Sequence, residues 1–213
     1  MGLPLGRQIV VLRLPGGGLW IHSPVPMTLE LRRELAALGE VRHVVGPNIW
    51  HDEGLREFQA EHPAACFHAA PGLAVQKRDV RFGAELSDAA YPDWVGVLDQ
   101  HLVRGMPRMN EVVFYHPASC SLILADLAFN LGPDGPWWFA LLMRTYGVWN
   151  RFAPTPLEKW MMQDKVAVGP HSTVFSNGIL TASSSAMGAT WRLMPAKYFA
   201  RPMRFSSKLA RPA

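Results

Sequence analysis

Two places in the chain gather side chains able to carry a proton or grip a metal ion. The first is the turn Gly46-Pro47-Asn48-Ile49-Trp50-His51-Asp52-Glu53-Gly54, which follows the apolar run Val41 to Val45. An apolar strand that runs into a polar turn opening a helix is where α/β folds keep their chemistry, because strand ends and helix N-termini converge there. The second is Asp126, delivered at the end of Cys120-Ser121-Leu122-Ile123-Leu124-Ala125. Imidazole and carboxylate groups brought together can hold a divalent ion and turn its bound water into hydroxide near neutral pH. Asp126, His51 and Asp52 are the side chains of those types singled out at the two places. A set this small holds zinc or iron weakly or not at all. His51 and Asp52 have a second reading as caps of the helix that follows, where a side-chain acceptor meets free backbone N–H groups, and the residues favour it. Asp126 reads equally as a functional group or as the partner of a turn.

Positioning these residues requires a scaffold, and the sequence spells out most of one. Ile9 to Arg13 reads as a strand, Pro15-Gly16-Gly17-Gly18 as a turn, and Leu19-Trp20-Ile21-His22 as the hairpin partner. Thr28 caps a helix with Leu31, Leu35 and Leu38 on one face, closed by Gly39. Val41 to Val45 is then a buried strand, so strand, helix and strand make a right-handed parallel crossover. A second helix takes Asp52 and Glu53 at its positive end, buries Leu55 and Phe58, and stops before Pro63. Ala65 to Ala70 is the next strand. Arg78 to Trp94 reads as a loop with a short edge strand around Val80-Arg81-Phe82, and Leu98 to Arg104 as another strand. Glu111 to Tyr115 and Cys120 to Ala125 form an antiparallel hairpin about His116-Pro117-Ala118-Ser119. Pro136 to Trp149 is a helix apolar almost all round, so it is buried or covers a partner. Thr155-Pro156-Leu157-Glu158 is a capping box that starts a short helix running through Asp164.

The bland readings of the remaining chemistry-bearing residues are structural. His22 is a half-buried strand histidine, Trp137, Trp138 and Trp149 are core, and His43, His62, His68 and His101 have no spacing that makes a site. Cys66 and Cys120 sit in apolar strand contexts and read as reduced, buried thiols.

The chain of 213 residues, 49% apolar and 18% charged, is ordinary for a globular core. No apolar run reaches the roughly 20 residues of a membrane span, and no signal peptide leads the sequence, so the expected address is the cytoplasm. The net charge of +4 is unevenly placed. All 17 acids lie at or before Asp164, and from Lys165 onward there are 7 Lys and Arg and no acid. The basicity therefore belongs to the tail, where it is scattered among Pro, Met, Phe and Ser rather than clustered, which argues against nucleic acid.

Trp20-Ile21-His22-Ser23-Pro24, Pro47-Asn48 followed by His51, and Glu111-Val112-Val113-Phe114 with Leu124-Ala125-Asp126-Leu127 resemble a bacterial family of unknown function within the metallo-β-lactamase-like superfamily. The resemblance covers about residues 8 to 165. It implies an αββα sandwich, incomplete here at the C-terminus, and a hydrolase whose turn after the strand carries H-x-H-x-D-H. The matching positions here are Asn48, Trp50, Asp52 and Glu53; sliding by one residue brings His51 and Asp52 to the last two ligand places. Asp126 matches the superfamily's bridging aspartate, and the histidine expected ahead of the hairpin falls near Asn110 or Glu111. The resemblance thus makes Asp126, His51 and Asp52 the candidate metal ligands, with His51 as ligand or proton carrier, and implies a degenerate site without efficient hydrolysis. The alternatives are a metal-dependent hydrolase of an ester, amide or phosphoester, its small-molecule substrate unspecified, and a binding or scaffold module using the Trp-rich helix.

The last segment departs from that pattern. Residues 1–168 read as the domain and 169–213 as an atypical basic tail without sustained period. Reading His171 to Phe205 one base back, with permissible wobble choices, returns a helical pattern, an Asp-Arg-Val-Val-Val strand, a Gly-His-Gly turn and a closing amphipathic helix. The tail therefore reads as the out-of-frame product of a frameshift. Loss of that strand and helix would uncover apolar surface, and self-association is the expected result.

Overall fold

A computed structural model of the chain describes residues 8–130, 136–149 and 152–163, together with two short backbone pairings at 183–184 and 189–190. The sequence's first hairpin forms as β1 (Val10–Arg13) and β2 (Leu19–His22), antiparallel, with Val10 opposite His22. Helix α1 (Leu29–Leu38) begins where the Thr28 side chain accepts from the Leu31 N–H and ends where the Gly39 N–H donates to the Leu35 carbonyl. Gly39 takes φ 147°, a backbone conformation other residues rarely adopt. The chain then returns as β3 (Val41–Gly46), parallel to β2, and the crossover repeats through α2 (Leu55–Glu61) to β4 (Cys66–Ala69). After α3 (Leu73–Gln76) a two-residue β5 (Ala84–Glu85) completes a five-stranded sheet in the order β1-β2-β3-β4-β5. The edge strand lies at Ala84–Glu85 and not around Val80-Arg81-Phe82. Val80 is instead buried in the apolar cluster beneath α2, and its N–H closes a turn on Lys77.

A second, antiparallel sheet is built from β6 (Asp99–Leu102), β7 (Val112–His116) and β8 (Ser121–Ile123). Alternation along the strands sorts the side chains into layers. Leu19, Ile21, Val44, Phe67 and Ala69 pack with Leu31, Leu35, Leu55, Phe58 and Leu73 of the helices. Trp20, Val45 and Ala70 face the other way and meet Val112, Phe114 and Ile123 of the second sheet. Val113 points through that sheet to Met106, Met109, Leu127 and Met161, the last on a helix α5 (Pro156–Met161). Helices, sheet, sheet and helix follow one another, so the fold is the expected αββα sandwich. Strand β9 (Phe129–Asn130) pairs with β10 (Phe152–Ala153), and between them stands α4 (Trp137–Thr145), shorter at both ends than the sequence pattern. It buries Phe139, Ala140 and Met143 and turns Trp137 and Trp138 outward, 78% and 40% exposed, so these two are not core. The capping box of α5 forms as the sequence spells it, with Thr155 and Glu158 satisfying each other's backbone; the helix stops at Met161.

Candidate functional site

The site lies where β2 and β3 end side by side against the start and finish of the β7–β8 hairpin. Parallel pairing sets His22 beside Val45, so Ser23 leaves β2 beside Gly46, the last residue of β3. A Cβ at Gly46 would stand 2.4 Å from the Leu73 Cδ2 methyl, so any larger residue there would have to displace that buried side chain. The turn that follows is fastened to the second sheet by backbone: the Ile49 N–H donates to the Met109 carbonyl (3.2 Å) and the Val112 N–H to the Pro47 carbonyl (2.9 Å).

Between those two bonds sits Asn48, fully buried. Its Oδ1 accepts the backbone N–H groups of Trp50 and His51, both at 2.9 Å, which folds the turn back on itself. Its Nδ2 donates to Glu111 Oε2 (3.1 Å) and to Asp126 Oδ2 (2.9 Å). The orientation of this amide is fixed by its surroundings: reversed, it would set oxygen against two carboxylates and hydrogens against two N–H groups. Glu111, also fully buried, accepts the N–H groups of Ala125 (2.7 Å) and Asp126 (2.8 Å) and so clamps the end of the hairpin. Burial pushes its carboxyl up to about 7, helped by the neighbouring Asp126 charge and opposed by the donors it receives.

Asp126 and His51, each about one-fifth exposed, meet at 3.0 Å between Oδ2 and Nε2. The other ring nitrogen of His51, Nδ1, is hydrogen-bonded to Ser23 Oγ. Ser23 is buried and holds φ 57°, in the left-handed region a serine rarely takes; its N–H donates to the Val45 carbonyl at 3.0 Å. His22, beside it, is fully buried rather than half-buried, because Phe114 and Trp20 close over it from both sheets. That burial, with the charge of His51 as a lesser cause, brings its pKa down to about 3.

Of the sequence-derived ligands, His51 and Asp126 come together and Asp52 turns elsewhere, pairing with Lys77 Nζ at 2.9 Å. Neither His51 nor Asp52 caps α2 with its side chain. Gly54 is the capping residue, because Val25 passes so close that a Cβ there would lie 2.4 Å from its carbonyl oxygen. Glu111 joins the site through Asn48 and the end of the hairpin, and His116 stays at its turn on Ser119. Sequence reasoning passed over Ser23, although its position at the end of a strand parallel to β3 is the signal that would have found it.

Does this set suit the metal that the resemblance implies? Asn48 presents to the carboxylates an amide nitrogen with no lone pair to give, and the Asp52 carboxylate is engaged elsewhere. Among the described residues no cluster of three or more His, Cys, Asp or Glu could hold a metal ion. The residues do not fit a tightly bound zinc or iron.

A second polar cluster, unforeseen in the sequence, lies along β3 and β4 on the face that meets Trp94. The parallel register sets His43 beside Cys66, and His43 Nδ1 meets His68 Nε2 at 3.2 Å while His43 Nε2 reaches Asp93 at 3.3 Å. Tyr91 and Trp94 pack on both rings. Burial, and then the proximity of His43, lower the pKa of His68 to about 3. Both cysteines are free; Cys66 is half-buried, and Cys120 is exposed because it sits in the tight turn ahead of β8.

No protein-family model matches the chain, and no curated protein matches it in sequence. Among solved structures it is similar to the DIM-1 metallo-β-lactamase exposed to ceftazidime, at 16% identity over 60% of this chain and 68% of that one, with a TM-score of 0.45. It is also similar to TMB-1 (13% identity, 77% of this chain and 92% of that one, TM-score 0.44) and to the metallo-β-lactamase from Pontibacter korlensis (15%, 78% and 86%, TM-score 0.44). Each likeness is one of fold, at low identity.

Proposed function

We propose that the chain is a degenerate metallo-β-lactamase-like protein whose ion-holding positions have been exchanged for a closed hydrogen-bond network, and that it has no efficient metal-dependent hydrolysis. One observation carries this: the buried Asn48 amide donates to Glu111 and Asp126 together. Two carboxylates this close need something positive between them. In a metalloenzyme that is a cation; here two amide hydrogens serve. Elemental analysis of the purified chain, with melting curves in chelator and in added zinc, tests the reading. The expected outcome is far less than one metal per chain and an unchanged melting temperature. About one transition metal per chain, lost in Asp126→Ala, would instead favour the reading as a metal-dependent hydrolase of an ester, amide or phosphoester.

A binding module is the second reading, favoured by Trp137, Trp138 and Leu141 standing exposed on α4. Loss of a captured partner on changing both tryptophans, without loss of fold, would support it. The domain at 1–168, the bacterial family, the cytoplasmic address and the out-of-frame origin of 169–213 belong to the same proposal. The tail itself lies almost wholly outside the described residues. The coding DNA decides the last point, since a sequence unable to yield the alternative string ends it.

A further inference from the structure

The poor fit to a metal leaves a different chemistry at the same place. Asp126 Oδ2 lies 3.0 Å from His51 Nε2 and can only accept, so in the neutral ring the proton sits on Nε2. Nδ1 then bears the lone pair, and the Ser23 hydroxyl donates to it. A serine whose proton points at an imidazole, itself oriented by a carboxylate, is the arrangement that activates a nucleophile, whichever ring nitrogen faces which partner. Three further observations belong with it. Ser23 is held at φ 57° at the end of a strand, a sharp turn that sets a side chain off from the sheet. Asp126 is itself fixed by the Asn48 amide, which Glu111 holds in turn. His51 and Asp126 are each about one-fifth exposed, while Ser23, bonded to the same ring, is buried.

We propose that Ser23, His51 and Asp126 form a metal-independent acyl-transfer site for small, activated esters. In the first step Ser23 Oγ bonds to the ester carbonyl carbon as its proton passes to His51 Nδ1. The carbon–oxygen bond to the alcohol breaks, and the alcohol leaves with that proton. In the second step water attacks the acyl-serine, giving one proton to His51 Nδ1. The acid departs, and the proton returns to Ser23 Oγ. Asp126 is the positioning residue throughout. It holds the ring and offsets the positive charge the ring gains.

The test treats the full chain, in chelator, with a fluorophosphonate probe and maps the adduct by mass spectrometry, alongside turnover of p-nitrophenyl acetate. The expected result is a single adduct on Ser23, absent in Ser23→Ala. His51→Gln should slow both labelling and turnover by about 100-fold, and Asp126→Asn should lower kcat while leaving KM unchanged. Circular dichroism of each variant separates loss of chemistry from loss of fold. No adduct on Ser23 in the folded chain overturns the proposal, as does labelling at an undiminished rate in folded His51→Gln. Turnover abolished by chelator, with Ser23 unlabelled, would instead point to metal chemistry. Because labelling is scored in chelator and turnover both with and without it, an empty result here leaves the metal-content test of the degenerate site standing.

Discussion

At the scale of single residues the site turns on which atoms of Asn48 face which neighbours. Asn48→Ala removes the donor shared by Glu111 and Asp126 and the acceptor of two backbone N–H groups. Unfolding in urea should show a loss of about 2–4 kcal/mol. Asn48→Asp sets a third carboxylate among two others, and should be destabilised further at neutral pH. Added zinc should raise the melting temperature of that variant and leave the natural chain unmoved. The buried histidines give a second expectation. His22 and His68 fall from an ordinary value of 6.5 to about 3, so they stay neutral in the fold while the unfolded chain takes up protons below pH 6.5. Stability is whole above that value and declines as pH falls toward 3, by about 2 kcal/mol for each ring at about pH 5. Glu111 acts in the opposite sense. Its carboxyl, raised from 4.5 to about 7, favours the fold at low pH and loses that advantage as pH rises through 7. Two rings outweigh one carboxyl, so urea midpoints should peak near pH 6.5 and fall on the acid side, less steeply in His68→Leu. The sequence made His51 and Asp126 visible as types. It hid the roles of Asn48, Glu111 and Ser23, because a polar residue's partners are chosen by the sheet register and not by its neighbours in the chain.

At the scale of elements, periodicity was a sound guide wherever one face is buried and the other is not. The alternation in β2, in β3 and along the Glu111 hairpin, and the spacing of Leu31 and Leu35, all led to the elements that form. It misled where space decides. Nothing local to Gly54 announces that Val25 will pass against it, so His51 and Asp52 read as caps when the glycine holds that place. Gly54→Ala must push on backbone, which yields poorly. A loss of about 2–3 kcal/mol is expected, with slower ester turnover, since the displaced turn carries His51. The pattern of α4 misled for the opposite reason. A helix apolar all round has no preferred inner face, and the fold buries Phe139 and Met143 while leaving Trp137 outward.

At the scale of the whole molecule, the repeated strand, helix and strand units led to an α/β fold, and the four layers followed from the resemblance to the metallo-β-lactamase-like superfamily. What completes the domain beyond α5 could not be read, since the tail carries neither period nor acids. The exposed Trp137, Trp138 and Leu141 give the molecule an adhesive face. Sedimentation velocity should show association that grows with concentration and is weakened in the double variant Trp137→Ser with Trp138→Ser. A monomer at all concentrations would count against an uncovered surface. The two backbone bonds that flank Asn48, from Ile49 to Met109 and from Val112 to Pro47, act like a pair of rivets through the join between the sheets. Neither layer can hinge away from the other at this end without drawing Asn48 out of its seat, so the spacing of Ser23, His51 and Asp126 has a fixed gauge. Any chemistry at these three side chains must therefore proceed on a frame that does not flex between the sheets.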